Sequence, residues 1–278
     1  MAEDRLRVAV IGHVEHVTIG RAARLPAPGD IVHFDEPQVI AGGGGGIAFF
    51  QLARSSGEVH LFTALGNDDA AAAVERRIVA TGAHVHAARR DEPHTRDLAV
   101  VTDDGERTIF VIGRPLHPAM GDRLPWHVLA SCDAAYFTGE DPETLRAARE
   151  ARVLVVTARR AHVLAKAGVK ADVVIGSSTD AREASRLPDY AVPPEALVMT
   201  AGRHGGAIYT ADGVSHWDAS PGPDAVAGSY GTGDTFAAAL TWYLARGLSV
   251  HEACVSAAPH GAAVLRGVNP IEWQLPLE

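Results

Sequence analysis

Cysteine is nearly absent from this chain. Cys132 and Cys254 stand alone among 278 residues, too few for a disulfide framework or a thiolate zinc site, and a reducing cytoplasm is the expected home. Basic charge is also short. Lys and Arg total 25 against 34 Asp and Glu, a net charge of -9, so no basic face is expected that could neutralise nucleic-acid phosphates. Long apolar runs are missing too. The first one spans only residues 8–11, behind Glu3, Asp4, Arg5 and Arg7, and neither a signal peptide nor a membrane span is expected. Two nucleotide fingerprints fail. After the apolar run 7–12 the chain continues His13, Val14, Glu15, His16, Val17, where a dinucleotide fold needs GxGxxG, and the P-loop pattern GxxxxGK[ST] does not occur.

Glycine, in contrast, is plentiful, at 28 residues, within a composition that is 47% hydrophobic and so globular. The most informative stretch is 228–236, with Gly228, Gly231 and Gly233 ahead of an apolar pattern that predicts a helix over 232–246, stopped by Gly247. A glycine turn feeding a helix N-terminus offers free N–H groups and the positive dipole end to an anion. Asp234 adds a carboxylate in the first turn, where a simple cap also favours acid. A second glycine run, Gly42 to Gly46, leads straight into the apolar segment 47–54. A backbone free of side chains there suits close approach to a substrate better than it suits a linker.

The remaining pattern is read in order. Strands are expected at 7–12, 31–34, 59–62, 98–102 and 108–112, with a further short one about Val85. Asn67 or Asp68 caps a helix over 70–81. The hairpin about Asp103, Asp104 and Gly105 interrupts the alternation as a flap. From residue 134 strands at 134–137, 153–156, 173–175 and 197–200 alternate with helices, notably 142–151 and 180–186, which predicts a parallel sheet covered on both faces. A late hairpin, 207–209 with 214–217, and an Ala-rich helix over 250–265 follow. His13 and His16 are read as i, i+3 positions on a strand, on opposite faces, and not as a metal pair. Ligands of such sheets bind beyond the strand carboxyl ends, near 177–180, 200–205 and the opening stretch.

With these pieces in order the chain resembles the ribokinase-like (PfkB) family of small-molecule kinases over nearly its whole length. The resemblance is carried by the early glycine run, by Gly66, Asn67, Asp68 and Asp69, by the flap from Thr95 to Gly105, Glu106 and Arg107, by Thr200, Gly202 and Gly205, and by Gly231, Thr232, Gly233 and Asp234. It implies one α/β domain over 1–278, with a Rossmann-type mostly parallel sheet and a small β-sheet lid from about 14–36 and 85–113. It implies ATP and Mg²⁺ as cofactors and a small-molecule alcohol, such as a sugar or nucleoside, as phosphate acceptor. Gly231, Thr232 and Gly233 then form the anion hole, and Asp234, expected to have a low pKa at its helix end, orients and deprotonates the hydroxyl. Thr200, Gly202, Gly205, Ser177 and His260 fall on the nucleotide side. Asp180 stands where a metal-holding Glu is usual, and Ser177 where an Asn is usual. His13, Glu15, Gly43, Gly44, Ile47 and Arg96 fall on the substrate side.

Departures from the family pattern bear on the substrate. The usual sugar-gripping Asp falls at Val17 and the usual Asn at Ile47, so an apolar lining and a less hydroxylated substrate are expected, with His13, Glu15, His94 or Arg96 as replacements. The Asp linked to potassium activation falls at Gly228, so weak or no potassium dependence is expected. A binding module that has lost phosphotransfer is the alternative, and a dehydrogenase is disfavoured. Exposed flap edges suit a homodimer paired through the lid.

Overall fold

The computed structural model describes residues 5–278; residues 1–4, including Glu3 and Asp4, lie outside the described residues. Thirteen strands are β1 (Arg7–Ile11), β2 (Glu15–Arg21), β3 (Asp35–Gly42), β4 (Glu58–Leu65), β5 (His84–Arg89), β6 (Arg96–Val101), β7 (Arg107–Ile112), β8 (Ala134–Phe137), β9 (Val153–Thr157), β10 (Val173–Ser177), β11 (Ala196–Thr200), β12 (Gly206–Thr210) and β13 (Gly213–Trp217). The helices are α1 (Gly43–Leu52), α2 (Asp69–Val79), α3 (Pro142–Ala148), α4 (Ala161–Ala167), α5 (Thr232–Ala245), α6 (Val250–Ala263) and α7 (Pro270–Trp273). Among the described residues no helix is long and apolar enough to cross a membrane.

Nine strands form the large sheet in the order β13-β12-β11-β10-β9-β8-β1-β4-β5. It is parallel from β5 to β11 and ends in an antiparallel hairpin. The period of two along β1 sorts its side chains to two cores. Val8 and Val10 join α1, α5 and α6 on one face, and Ala9 and Ile11 join α3 and α4 on the other. The carboxyl end of β1 leads to the glycine-rich start of α1, where a Cβ on Gly12 would stand 3.3 Å from Gly45 Cα.

The lid is a four-stranded sheet, β3-β2-β6-β7. Its inner face is a small apolar core of Val17, Ile19, Ile40, Ile47, Ala99, Val101 and Tyr230. The span 85–113 is therefore cut differently from expectation, because β5 pairs with β4 in the large sheet.

Several local expectations fail for identifiable reasons. Residues 31–34 run extended but unpaired, since Ile31 is 95% exposed and the Phe34 ring lies over Gly20; the strand begins at Asp35, opposite Arg21. β2 is absent from the sequence reading because residues 13–21 mix His, Glu and Gly without clean alternation. Residues 180–186 make a single turn, not a helix. There Asp180 turns back on the Arg182 N–H, Glu183 is drawn to the Ser177 N–H, and Pro188 follows. α4 fills the interval between β9 and β10, where a helix was expected without bounds. His13 lies in the bend before β2 and His16 within it, so the two do not share a strand.

Candidate active site

The N-terminus of α5 is built by Gly231, which takes the left-handed conformation at φ 75°. A Cβ there would press on Pro270 and Ile47 at 3.0–3.1 Å, so glycine is required for both shape and space. Thr232 Oγ1 donates to the Ser229 carbonyl at 3.1 Å. A side chain at Gly233 would meet nothing within 4 Å, which leaves open space in front of the helix N–H groups. An anion fits there.

Asp234 is half-buried beneath that opening. Burial, followed by the nearby Glu183 charge, raises its carboxyl from 3.8 to about 6, while Arg159 and Arg107 act in the opposite direction. The direction is opposite to the low pKa expected from its helix-end position, and desolvation is the main cause. α1 approaches closely, since a Cβ on Gly44 would stand 3.1 Å from Asp234 Oδ1 and 3.3 Å from Thr138 Oγ1. Gly43, at φ 75°, takes the Tyr230 hydroxyl as acceptor for its N–H at 3.0 Å. The same residue leaves 3.0 Å between its Cβ direction and both Glu15 Oε2 and His13 Cδ2. The glycine run therefore brings His13, Glu15 and Asp234 around one cavity.

That cavity is polar. Glu15 and Asp97 are buried beside each other, at 6% and 4% exposure. Desolvation and the neighbouring carboxylate hold Glu15 well above the usual range, and desolvation raises Asp97. Asp97 Oδ1 is a buried polar atom with no partner. Asp97 pairs directly with Val17 across β2 and β6, and Glu15 lies two residues before Val17 on the same face. Its ladder partner thus sets a carboxylate beside Val17. His13 and His117 meet edge to face at 4.9 Å, and burial keeps both neutral, at about 3 and about 2. The His13–Glu15 approach of 3.6 Å is accordingly not an ion pair.

Ile47 and Val17, by contrast, are fully buried in the lid core, so the apolar lining inferred from them is not part of this cavity. Arg96 lies 2.8 Å from Asp68, the N-cap of α2, and is largely exposed. His94 is buried and accepts from the Gly66 N–H at 3.3 Å, with its Nε2 unpartnered.

On the other side of Asp234, β10 and β11 place Ser177 opposite Thr200. Thr200 Oγ1 donates to the Gly176 carbonyl at 3.2 Å. Gly202 and Gly205 have φ of 56° and 74°, and a Cβ on Gly205 would collide with the Trp217 carbonyl at 2.0 Å. This turn keeps a bare backbone shelf at the end of β11. Asp180 is engaged by Arg159 at 2.5 Å and Arg182 at 3.3 Å. Glu183 accepts from the Ser177 N–H at 2.9 Å and meets Arg159 at 2.5 Å. His260 is buried in α6, against the Tyr243 hydroxyl at 3.1 Å. The structure thus brings Asp234, Gly231, Gly233, Gly43, Gly44, His13 and Glu15 together, packs Ile47 behind Gly231, and sets Arg96 and His260 apart from the cavity. Asp97, Glu183, Arg159, Thr138 and His117 were missed by sequence reasoning. For Asp97 a signal existed: an acid on an otherwise apolar strand, 96–101.

The sequence model of the pfkB family carbohydrate kinases matches residues 5–276. The chain belongs to that family. It is a phosphotransferase with an alcohol group as acceptor, of the PfkB carbohydrate kinase kind. Solved structures share the ribokinase-like fold at low identity. A Thermotoga maritima ribokinase is 18% identical at a TM-score of 0.77, covering 98% of this chain and 96% of that one. An adenosine kinase from Sinorhizobium meliloti is 17% identical at 0.78, covering 96% of each. An Arabidopsis thaliana ribokinase complexed with ribose and ATP is 17% identical at 0.76, covering 97% and 96%. No curated protein matches the chain. As a PfkB kinase, the chain has ATP as its expected phosphoryl donor.

Proposed function

We propose that this PfkB kinase phosphorylates a hydroxyl of a small, polar, hydroxylated metabolite, with Asp234 as the base and the 231–234 turn as the anion hole. The observation that carries the reading is the half-buried Asp234 carboxylate, set at the open start of α5 and against Gly44. A carboxylate titrating near 6 is ionised at neutral pH yet basic enough to take a proton as the hydroxyl attacks. The α5 N–H groups, fixed before reaction, stabilise charge on the transferred phosphoryl group.

The acceptor's other hydroxyls have their partners in Glu15, Asp97 and His13. The unpartnered Asp97 Oδ1 supports a hydroxyl donor at that point, and a neutral His13 can accept or donate. This reading replaces the less hydroxylated substrate inferred from Val17 and Ile47. The nucleotide lies along Thr200, Gly202 and Gly205, with Ser177 at its edge. Mg²⁺, which neutralises phosphate charge when bound, fits the Glu183 side better than Asp180, because two guanidinium groups already engage Asp180. Either carboxylate would act through water. Gly228 in place of an Asp supports little potassium dependence.

A homodimer through the lid is supported by β7, whose Phe110, Val111 and Ile112 are each half exposed or more. Of these, Phe110 lines an apolar groove of about 300 Å³ together with Leu25, Val32, Phe34 and Leu98.

The test is ATP consumption with Mg²⁺ against sugars, nucleosides and polyols, with Asp234→Asn and Asp97→Asn alongside. The expected result is acceptor-dependent turnover, lost in Asp234→Asn and retained with a raised acceptor KM in Asp97→Asn. Unchanged turnover in Asp234→Asn would overturn the assignment of the base.

A further inference from the structure

The amino ends of β4 and β5 carry a cluster the phosphotransfer site does not use. Glu58, His60 and His84 each offer a ligand atom, and these atoms all lie within 4.8 Å of one another. The strand period explains the grouping: Glu58 and His60 share a face of β4, and His84 is the direct ladder partner of His60. His60 Nε2 is 2.9 Å from Glu58 Oε1, and His84 Nε2 is 3.8 Å from the same oxygen. Among the described residues no other group of three such ligands stands this close.

We propose that Glu58, His60 and His84 bind a divalent transition-metal ion of the zinc type. Two imidazoles and one carboxylate are a zinc donor set, and imidazole nitrogen disfavours Mg²⁺ and Ca²⁺. Zinc bonds of about 2.0–2.2 Å require the three atoms to draw together by about an ångström at their widest. His84 is the mobile member. Its side chain is 57% exposed and only stacks on His60, at 4.6 Å and 13°, so it is free to turn its Nε2 inward. His60 is buried and fixed.

The surrounding groups match what a metal site needs around its ligands. Arg7 holds Glu58 Oε2 at 3.0 Å and keeps the carboxyl ionised, leaving Oε1 for the metal. His60 Nδ1 lies 3.1 Å from His86 Nε2, which orients the His60 ring. Without metal, Glu58 only accepts, so His60 carries its proton on Nε2 and takes the His86 Nε2 proton as a hydrogen bond. With metal on Nε2, His60 instead carries the proton on Nδ1 and donates it to His86 Nε2. His86 is then protonated on Nδ1. No net proton is released.

The cluster lies at the strand amino ends, about 16 Å along β4 from Leu65, the end that leads to the catalytic loops. Its role is to fasten the edge strand β5 to β4, apart from any ion that accompanies ATP.

The test is calorimetric titration of the full chain, stripped by chelator and without nucleotide, with ZnCl₂ and separately MgCl₂. One zinc at micromolar affinity or tighter is expected. Binding in His84→Ala, whose exposed position leaves folding intact, should be at least tenfold weaker, while kinase turnover stays unchanged. Zinc should raise the melting temperature of the wild type and not of the variant. Imidazole ¹⁵N spectra should show the His60 proton move from Nε2 to Nδ1. Zinc binding of equal strength in His84→Ala, or no zinc binding below about 100 µM in the wild type, would overturn the proposal; either outcome makes the cluster a packing motif only.

Discussion

Replacing Asp234 by Asn should abolish catalysis and stabilise the fold at the same time. The carboxyl ionises near 6 in the folded chain against 3.8 in an ordinary aspartate. A gap of about 2 units disfavours the folded, ionised form by about 3 kcal/mol. Well below pH 3.8 both states hold the proton and nothing is lost. As pH rises from about 4 to about 6 the unfolded chain ionises first, so stability falls through that window and stays lower above it. Asn is nearly the same shape and cannot ionise. The variant should therefore exceed the wild type by about 3 kcal/mol at pH 7.5 but only by about 1.5 kcal/mol at pH 5. At pH 7.5 that corresponds to a rise in Tm of roughly 6 °C for a domain of this size. Turnover should fall by about 10²–10⁴ with loss of the base. Urea denaturation of both proteins at the two pH values, beside a coupled ATP assay, measures each term. A variant less stable than the wild type, or a gain independent of pH, would refute the half-buried, ionised Asp234 on which the mechanism rests.

In the wild type the same group should give kcat/KM an acid limb near pH 6. Glu183→Gln removes a charge that raises Asp234, so this limb should move to lower pH, with kcat/KM reduced on the order of tenfold. Gly44→Ala adds a methyl group 3.1 Å from Asp234 Oδ1; turnover should drop on the order of 10- to 100-fold, while stability measured by denaturant changes by less than about 1 kcal/mol. If the lid pairs two copies, light scattering should report a dimer for the wild type and a monomer for Phe110→Asp, which puts a charge on the half-exposed β7 edge. EDTA should stop phosphotransfer, and Mg²⁺ should restore it.

The sequence by itself determined the frame and the centre of the site. Apolar runs such as those at 8–11, 134–137 and 197–200 cannot be anything but buried strands once helices alternate with them. Gly231 and the glycines at 42–46 were legible because a left-handed turn and a backbone packed against a carboxylate admit no other residue, so composition alone reports the geometry. What pairs across strands was not legible. Asp97 completes the polar cavity only because β6 lies parallel to β2 in a register that sets it against Val17, and register is a property of the assembled sheet. Val17 and Ile47 read as lost substrate contacts in one dimension, yet the lid folds them inward as its core. The titration of Asp234 was misjudged for the same reason. A helix end is visible in sequence and lowers a carboxyl, whereas the desolvation that raises it depends on everything packed above, and that is decided only when α1, the lid and the sheet close over it.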